Sequence, residues 1–187
     1  YTRTHLSIRL IFGFTLINAL LGRTVMELLP ALSGVLLRGD SSTLATLTAA
    51  AGAGSILGGV VVSRQGSEES RLVSLMLACL AAGAFLVTAL GWTSQLISFA
   101  CLIGLLSTAT TIVGTSSQAL AQLQVDDEYR GRVLSLWTML AMGAPAVGAL
   151  SLGMLADQFT FPRVLPAFSL LALIALAYLN RHRVRQP

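Results

Sequence analysis

The 187 residues are 55% hydrophobic and 11% charged, with a mean hydropathy of +0.78, whereas soluble domains carry roughly 25% charged residues. Such a composition excludes an ordinary water-soluble domain. The formal charge of +4 does not indicate nucleic acid either, because the arginines are scattered between apolar stretches and form no single basic face.

The first apolar span is predicted from about Ile8 to Leu29, closed by Pro30 and a polar connection containing Gly34, Arg38, Gly39 and Asp40. The second runs from about Ser42 to Val62 and ends in a polar turn, Ser63 to Arg71. The third covers Leu72 to Leu90, and the short link GWTS leads into the fourth, Ser94 to Ala121. The charged segment QVDDEYRGR, Gln124 to Arg132, is predicted as a loop before the fifth span, Val133 to Leu155. Asp157 to Arg163 interrupts the chain again, and the sixth span, Val164 to Leu179, runs into the basic tail RHRVRQP. These runs approach the roughly 20 residues needed to cross about 30 Å of hydrocarbon. They lack the alternation over about 10 residues that marks barrel strands. The expected fold is an all-α membrane protein, one bundle of six transmembrane helices over residues 1–187.

Alternate connections differ in charge. Arg3, Arg9, Arg64, Arg71, Arg130, Arg132, Arg181, Arg183 and Arg185 fall on one side, against Arg38 and Arg163 on the other. Cytoplasmic loops carry the positive excess, so both termini are expected in the cytoplasm; the membrane is expected to be the bacterial inner membrane. The chain opens at Tyr1 without an initiator Met, and its first apolar run exceeds the 7–15 residues of a signal-peptide core, so a fragment is expected.

Polar residues within a bilayer usually face a bundle interior or a water-filled path. The third and sixth spans carry almost none and are expected at the lipid-facing periphery. The first contains Asn18, Arg23 and Glu27, while in the fourth Ser107, Thr110, Thr111, Gly114, Ser117 and Gln118 share one helical face. That face, with Asn18, is the candidate substrate path, although small hydroxyls also serve simply to join neighbouring helices. Arg23 and Glu27 lie one turn apart and are expected either to carry a coupled proton or to form a fixed ion pair. Gly52, Gly54, Gly58 and Gly59 of the second span suit close helix approach. In the fifth, Pro145 between Gly143 and Gly148 predicts a kink or tight crossing. Cys79 and Cys101 lack paired spacing, and no HExxH is present, so neither a metal nor a cofactor is expected. His5 and His182 sit at the ends of the chain, away from any candidate nucleophile, so an enzyme is not expected.

Three segments resemble the major facilitator superfamily. GVVVSRQG is similar to its G-x-x-x-D-R-x-G loop signature at Gly59, Arg64 and Gly66, and departs from it at Ser63, where the acid is missing. APAVGA, Ala144 to Ala149, resembles the antiporter kink G-P-x-x-G-G through Pro145 and Gly148. ELLPALSGV together with QLQVDDEYRGRVLSLWTMLAMGAPAVGALSLGMLAD is similar to the enterobactin-exporter-like permeases. The resemblance spans essentially the whole chain. It implies the C-terminal six-helix half of a twelve-helix transporter, with the first and fourth spans lining a central cavity and the third and sixth outermost. It further implies proton-coupled export of a small amphipathic molecule and a partner in the missing N-terminal half. Arg64, Gly66, Asp126, Asp127, Arg130 and Arg132 would then form a cytoplasmic gate. A half-transporter acting as a homodimer, and a six-helix scaffold or receptor without transport activity, are the competing readings.

Overall fold

The computed structural model describes residues 6–65 and 69–184, and Gly66 of the expected gate lies outside them. Among the described residues the regular structure is entirely helical, and six segments are long and apolar enough to cross a membrane. The first is composite: α1 (Leu6–Asn18), a π-helical turn (Ala19–Arg23) and α2 (Thr24–Glu27). A short α3 (Leu29–Leu37) follows, and then the long helices α4 (Ser41–Gln65), α5 (Glu69–Leu90), α6 (Leu96–Gln124), α7 (Asp127–Phe159) and α8 (Phe161–Val184).

Several predicted boundaries shift for identifiable reasons. Pro30 does not close the first span. The break falls earlier, at Leu28 (φ −87°, ψ 4°), and Pro30 occupies the first turn of α3, where its missing N–H costs nothing. Helix α3 stops at Arg38, a non-glycine residue with φ 49°, and the N–H groups of Arg38 and Gly39 both reach the Ser33 carbonyl. Asp40 then starts α4 by accepting from the Thr43 N–H (3.0 Å), the Ser42 hydroxyl (2.7 Å) and the Thr43 hydroxyl (3.2 Å) through Oδ1. The segment predicted as a charged loop is helical from Asp127 onward, because acidic side chains in a first turn favour the helix N-terminus. Between α7 and α8 the break narrows to Thr160, at φ 70° and ψ 147°.

Span one is the centre of the bundle, with 61% of its apolar window buried, against 17% for α4. Leu21, Val25 and Leu29 join Leu47, Val87, Leu90, Ile103, Leu106, Leu152 and Leu165 in one core, so residues from all six spans close around it. The sixth span is largely open (22% buried), but the third, expected at the periphery with it, is no more open than α7 (33% each), and α4 is the most open of all, with Ile56 and Leu57 exposed. The α4–α6 pair is the tightest in the fold. A Cβ at Gly54 would collide with the Gly104 carbonyl, and one at Gly58 would stand 2.8 Å from the Thr108 carbonyl oxygen. Gly52 and Gly59 have open space beyond them, so only half of the glycine set makes the close crossing.

Candidate functional site

At the α4–α6 crossing, polar groups of one helix meet the backbone of the other. The Ser107 hydroxyl donates to the Ala51 carbonyl (2.7 Å) and lies 2.9 Å from the Ser55 hydroxyl. Thr108 reaches the carbonyls of Gly54 (3.0 Å) and Gly104 (2.9 Å). These bonds fix the angle between two helices that both contribute to a groove enclosing about 500 Å³. Its walls come from four spans: Arg23, Met26 and Glu27 from the first, Thr48, Ala51, Gly52 and Ser55 from α4, Ser107, Thr110, Thr111, Gly114, Thr115 and Gln118 from α6, and Trp137 from α7.

Among the predicted path residues, Ser107, Thr110, Thr111 and Gln118 line this groove, and Gly114 and Thr115 complete the same wall. Asn18 and Ser117 stand behind it. Asn18 is buried and donates through Nδ2 to the Thr110 carbonyl (3.2 Å), which ties the first span to α6. Ser117 is fully buried and returns its hydroxyl to the Gly114 carbonyl (3.0 Å). The α4 wall was legible in part: Thr48, Gly52 and Ser55 recur at helical spacing, but the surrounding glycines read as packing. Trp137 carries no such signal. It is held by donating Nε1 to the Thr15 hydroxyl (3.0 Å), which itself donates to the Ile11 carbonyl (2.9 Å).

Arg23 and Glu27 both open into the groove, and both are exposed. Among the described residues no ion pair joins them, so the expected fixed pair does not form in this conformation. An acid placed four residues after a base is the weaker order on a helix, and groove solvent competes for both groups. Between them Thr24 turns the other way and is fully buried. Its hydroxyl donates to the Ala19 carbonyl (3.0 Å) and lies 3.5 Å from the Pro145 carbonyl. A Cβ at Gly148 would strike that hydroxyl, so Pro145 and Gly148 mark a tight crossing between α7 and the first span. Gly143 faces open space and takes no part in it.

The described residues of the expected gate, Arg64, Asp126, Asp127, Arg130 and Arg132, lie outside the groove. Arg64 is exposed near the end of α4, and Asp126 precedes α7, where its carbonyl accepts from the N–H groups of Tyr129 and Arg130 (3.0 Å each). Arg130 pairs with Asp127 at 2.7 Å inside a single helical turn, and Arg132 is exposed two residues further along. That pair is a surface contact worth under about 1 kcal/mol. At this end the Gln124 side-chain amide donates to the Glu69 carboxylate and so joins α6 to α5. Among the described residues no group of three or more His, Cys, Asp or Glu side chains could hold a metal ion.

A groove lined by six hydroxyl side chains, one acid and one base, set inside a bundle of membrane-length helices, is suited to binding a solute. Compared with known proteins, the chain matches no curated protein and no solved structure. The family profile described as transmembrane secretion effector matches residues 1–187. The chain, with its six membrane-length helices, therefore belongs to the transmembrane secretion effector family of major-facilitator-type transporters.

Proposed function

We propose that this bundle is one half of a secondary active transporter that exports small amphipathic molecules across the bacterial inner membrane by alternating access, coupled to protons. The observation that carries the reading is the groove: it puts Arg23, Glu27, Gln118 and a row of hydroxyls along one face of an otherwise apolar bundle. Such groups are costly in hydrocarbon unless they serve a polar path. A second six-helix half facing α4, α6 and the first span would convert the groove into an enclosed site near the bilayer midplane, the arrangement used by transporters built from paired repeats. The exposed apolar residues of α4 and α7, including Ile56, Leu57, Met139 and Met142, supply surface for that half and for lipid. Glu27 is the proton carrier in this reading, because groove water reaches it while Arg23 stands one turn away.

The test uses the full-length transporter in proteoliposomes. Gly52→Trp, at a groove-lining position where a Cβ would meet nothing within 4 Å, should plug the groove and abolish transport of every substrate. Thr111→Val with Gln118→Leu should change transport rates without lowering folding yield. Glu27→Gln should remove the acceleration of export by an imposed pH gradient while substrate exchange at equal pH continues. Unchanged transport by Gly52→Trp would remove the groove from the path, and unchanged gradient dependence in Glu27→Gln would remove proton coupling through this residue.

A further inference from the structure

The groove holds one acid and one base that are not matched to each other, and this asymmetry bears on what it binds. Arg23 and Glu27 follow each other along the first span at a rise of about 6 Å, and both line the same cavity. Among the groove-lining hydroxyls, Ser55 and Ser107 are already committed across to the neighbouring helix, and Thr48, Thr110 and Thr115 to their own helix backbone. Two unmatched charges are then left as the strongest recognition groups. Beyond Glu27 the cavity continues into a hollow of about 390 Å³ that shares Met26, Glu27, Thr48 and Ala51 and is otherwise walled by Leu29, Pro30 and Leu44. The features follow in order along the first span: base, acid, apolar hollow.

We infer that the groove selects a zwitterionic solute with an apolar end, whose acidic group meets Arg23, whose ammonium meets Glu27 and whose apolar end enters the hollow beside Pro30 and Leu44. This rests on the groove being the substrate path and names the class of substrate that path takes. A closed groove excludes water, and an ion left unmatched there is strongly penalised. A purely cationic solute would leave Arg23 unmatched, and a purely anionic one would leave Glu27 unmatched. A zwitterion neutralises both at once through charge-assisted hydrogen bonds.

The probe series is built on one scaffold: leucyl-leucine, its methyl ester as the cation, its N-acetyl derivative as the anion, and the N-acetyl methyl ester as the neutral form. Binding to the full-length transporter in nanodiscs is measured at pH 7 for the wild type, Arg23→Gln, Glu27→Gln and the double variant. The free dipeptide should bind about tenfold or more tightly than any of the other three. Arg23→Gln should transfer the preference to the cation, Glu27→Gln to the anion, and the double variant to the neutral form. Gly52→Trp serves as the separate control on the path itself. If it blocks transport while the ranking of the four probes is the same in wild type, Arg23→Gln and Glu27→Gln, the groove is the path and the selectivity assigned here is wrong, with both charges engaged instead by the facing half. If Gly52→Trp leaves transport and probe binding intact, the groove reading itself fails.

Discussion

Gly54→Ala is the most informative single change for the scaffold that holds the groove. A Cβ at Gly54 would stand 2.9 Å from the Gly104 carbonyl carbon. Backbone cannot move aside as a side chain does, so α4 and α6 must separate by about 1 Å to reach ordinary van der Waals contact. The bonds across the crossing, 2.7 Å from Ser107 to Ala51, 2.9 Å between Ser55 and Ser107, and 3.0 Å from Thr108 to Gly54, would then stretch beyond hydrogen-bonding range. Interhelical hydrogen bonds in membranes contribute about 0.6 kcal/mol each, and forcing extra volume into a packed interface costs about 1–3 kcal/mol. The expected loss is about 3–5 kcal/mol before about 1 kcal/mol is recovered from the better helix propensity of Ala. Gly52→Ala gains the same propensity two residues away and meets nothing within 4 Å, so the difference between the two variants isolates the clash. Reversible unfolding in mixed detergent micelles measures it. Thr108→Val combined with Gly54→Ala should cost less than the sum of the single changes, since the first substitution has already broken the shared bond. Stabilities for Gly54→Ala and Gly52→Ala within about 0.5 kcal/mol of one another would refute the close crossing and the groove geometry built on it.

Three further outcomes follow from the connections. Thr160→Gly should stabilise the bundle by about 1 kcal/mol, because a positive φ strains a branched residue and leaves glycine indifferent; thermal unfolding in detergent measures the gain. The hydrogen bonds from Ser42 and Thr43 hold the Asp40 carboxyl down at about 2, below its usual 3.8. A lowered folded-state value means the contribution is complete above pH 3.8 and is lost as pH falls through the window down to about 2, so protection of the Thr43 amide relative to its intrinsic exchange rate should fall there in the wild type and be low at every pH in Asp40→Ala. Cysteine placed at Arg38 should react with a membrane-impermeant reagent from the outside of intact cells, and labelling from the cytoplasmic side alone would reverse the orientation.

The number of spans and the inward face of α6 were legible because both depend on hydrophobic length and helical period, which are written directly in the residues. Ser107, Thr110, Thr111 and Gln118 share a wall for that reason. Asn18 and Ser117 fit the same pattern but spend their hydrogen bonds on helix backbone, a tertiary outcome that spacing does not carry. Pro30 was misleading because proline is tolerated in the first turn of a helix as readily as it ends one. The Asp127 segment was misleading because charge suggests a loop while acids also start helices. The π turn left no mark in residue type at all: Ala19 to Arg23 reads as ordinary helix, and what shapes it is the Thr24 hydroxyl and N–H both bonding to Ala19.

That turn accounts for the groove's charges. With Thr24 buried against Pro145 and with Gly148 leaving room for its hydroxyl, the rotation of the first span about its own axis is set at one point. Successive helical residues advance about 100°, so fixing Thr24 toward α7 places Arg23 about 100° to one side of it. Glu27, three residues on, lies about 60° from Thr24 in the same sense. Both charges are therefore turned to one side of the α7 contact, into the groove lined by α4 and α6, by a contact that neither of them makes. The wider π turn just before Thr24 lets this upper part of the span keep that rotation while Ile11, Phe14 and Ile17 stay packed in the apolar cluster below. A regular helix from Leu6 to Glu27 would have to choose between the two, burying Arg23 and Glu27 or exposing part of that cluster. The local departure from α geometry is thus what allows one span to serve as core along one part of its length and as a polar wall along the rest.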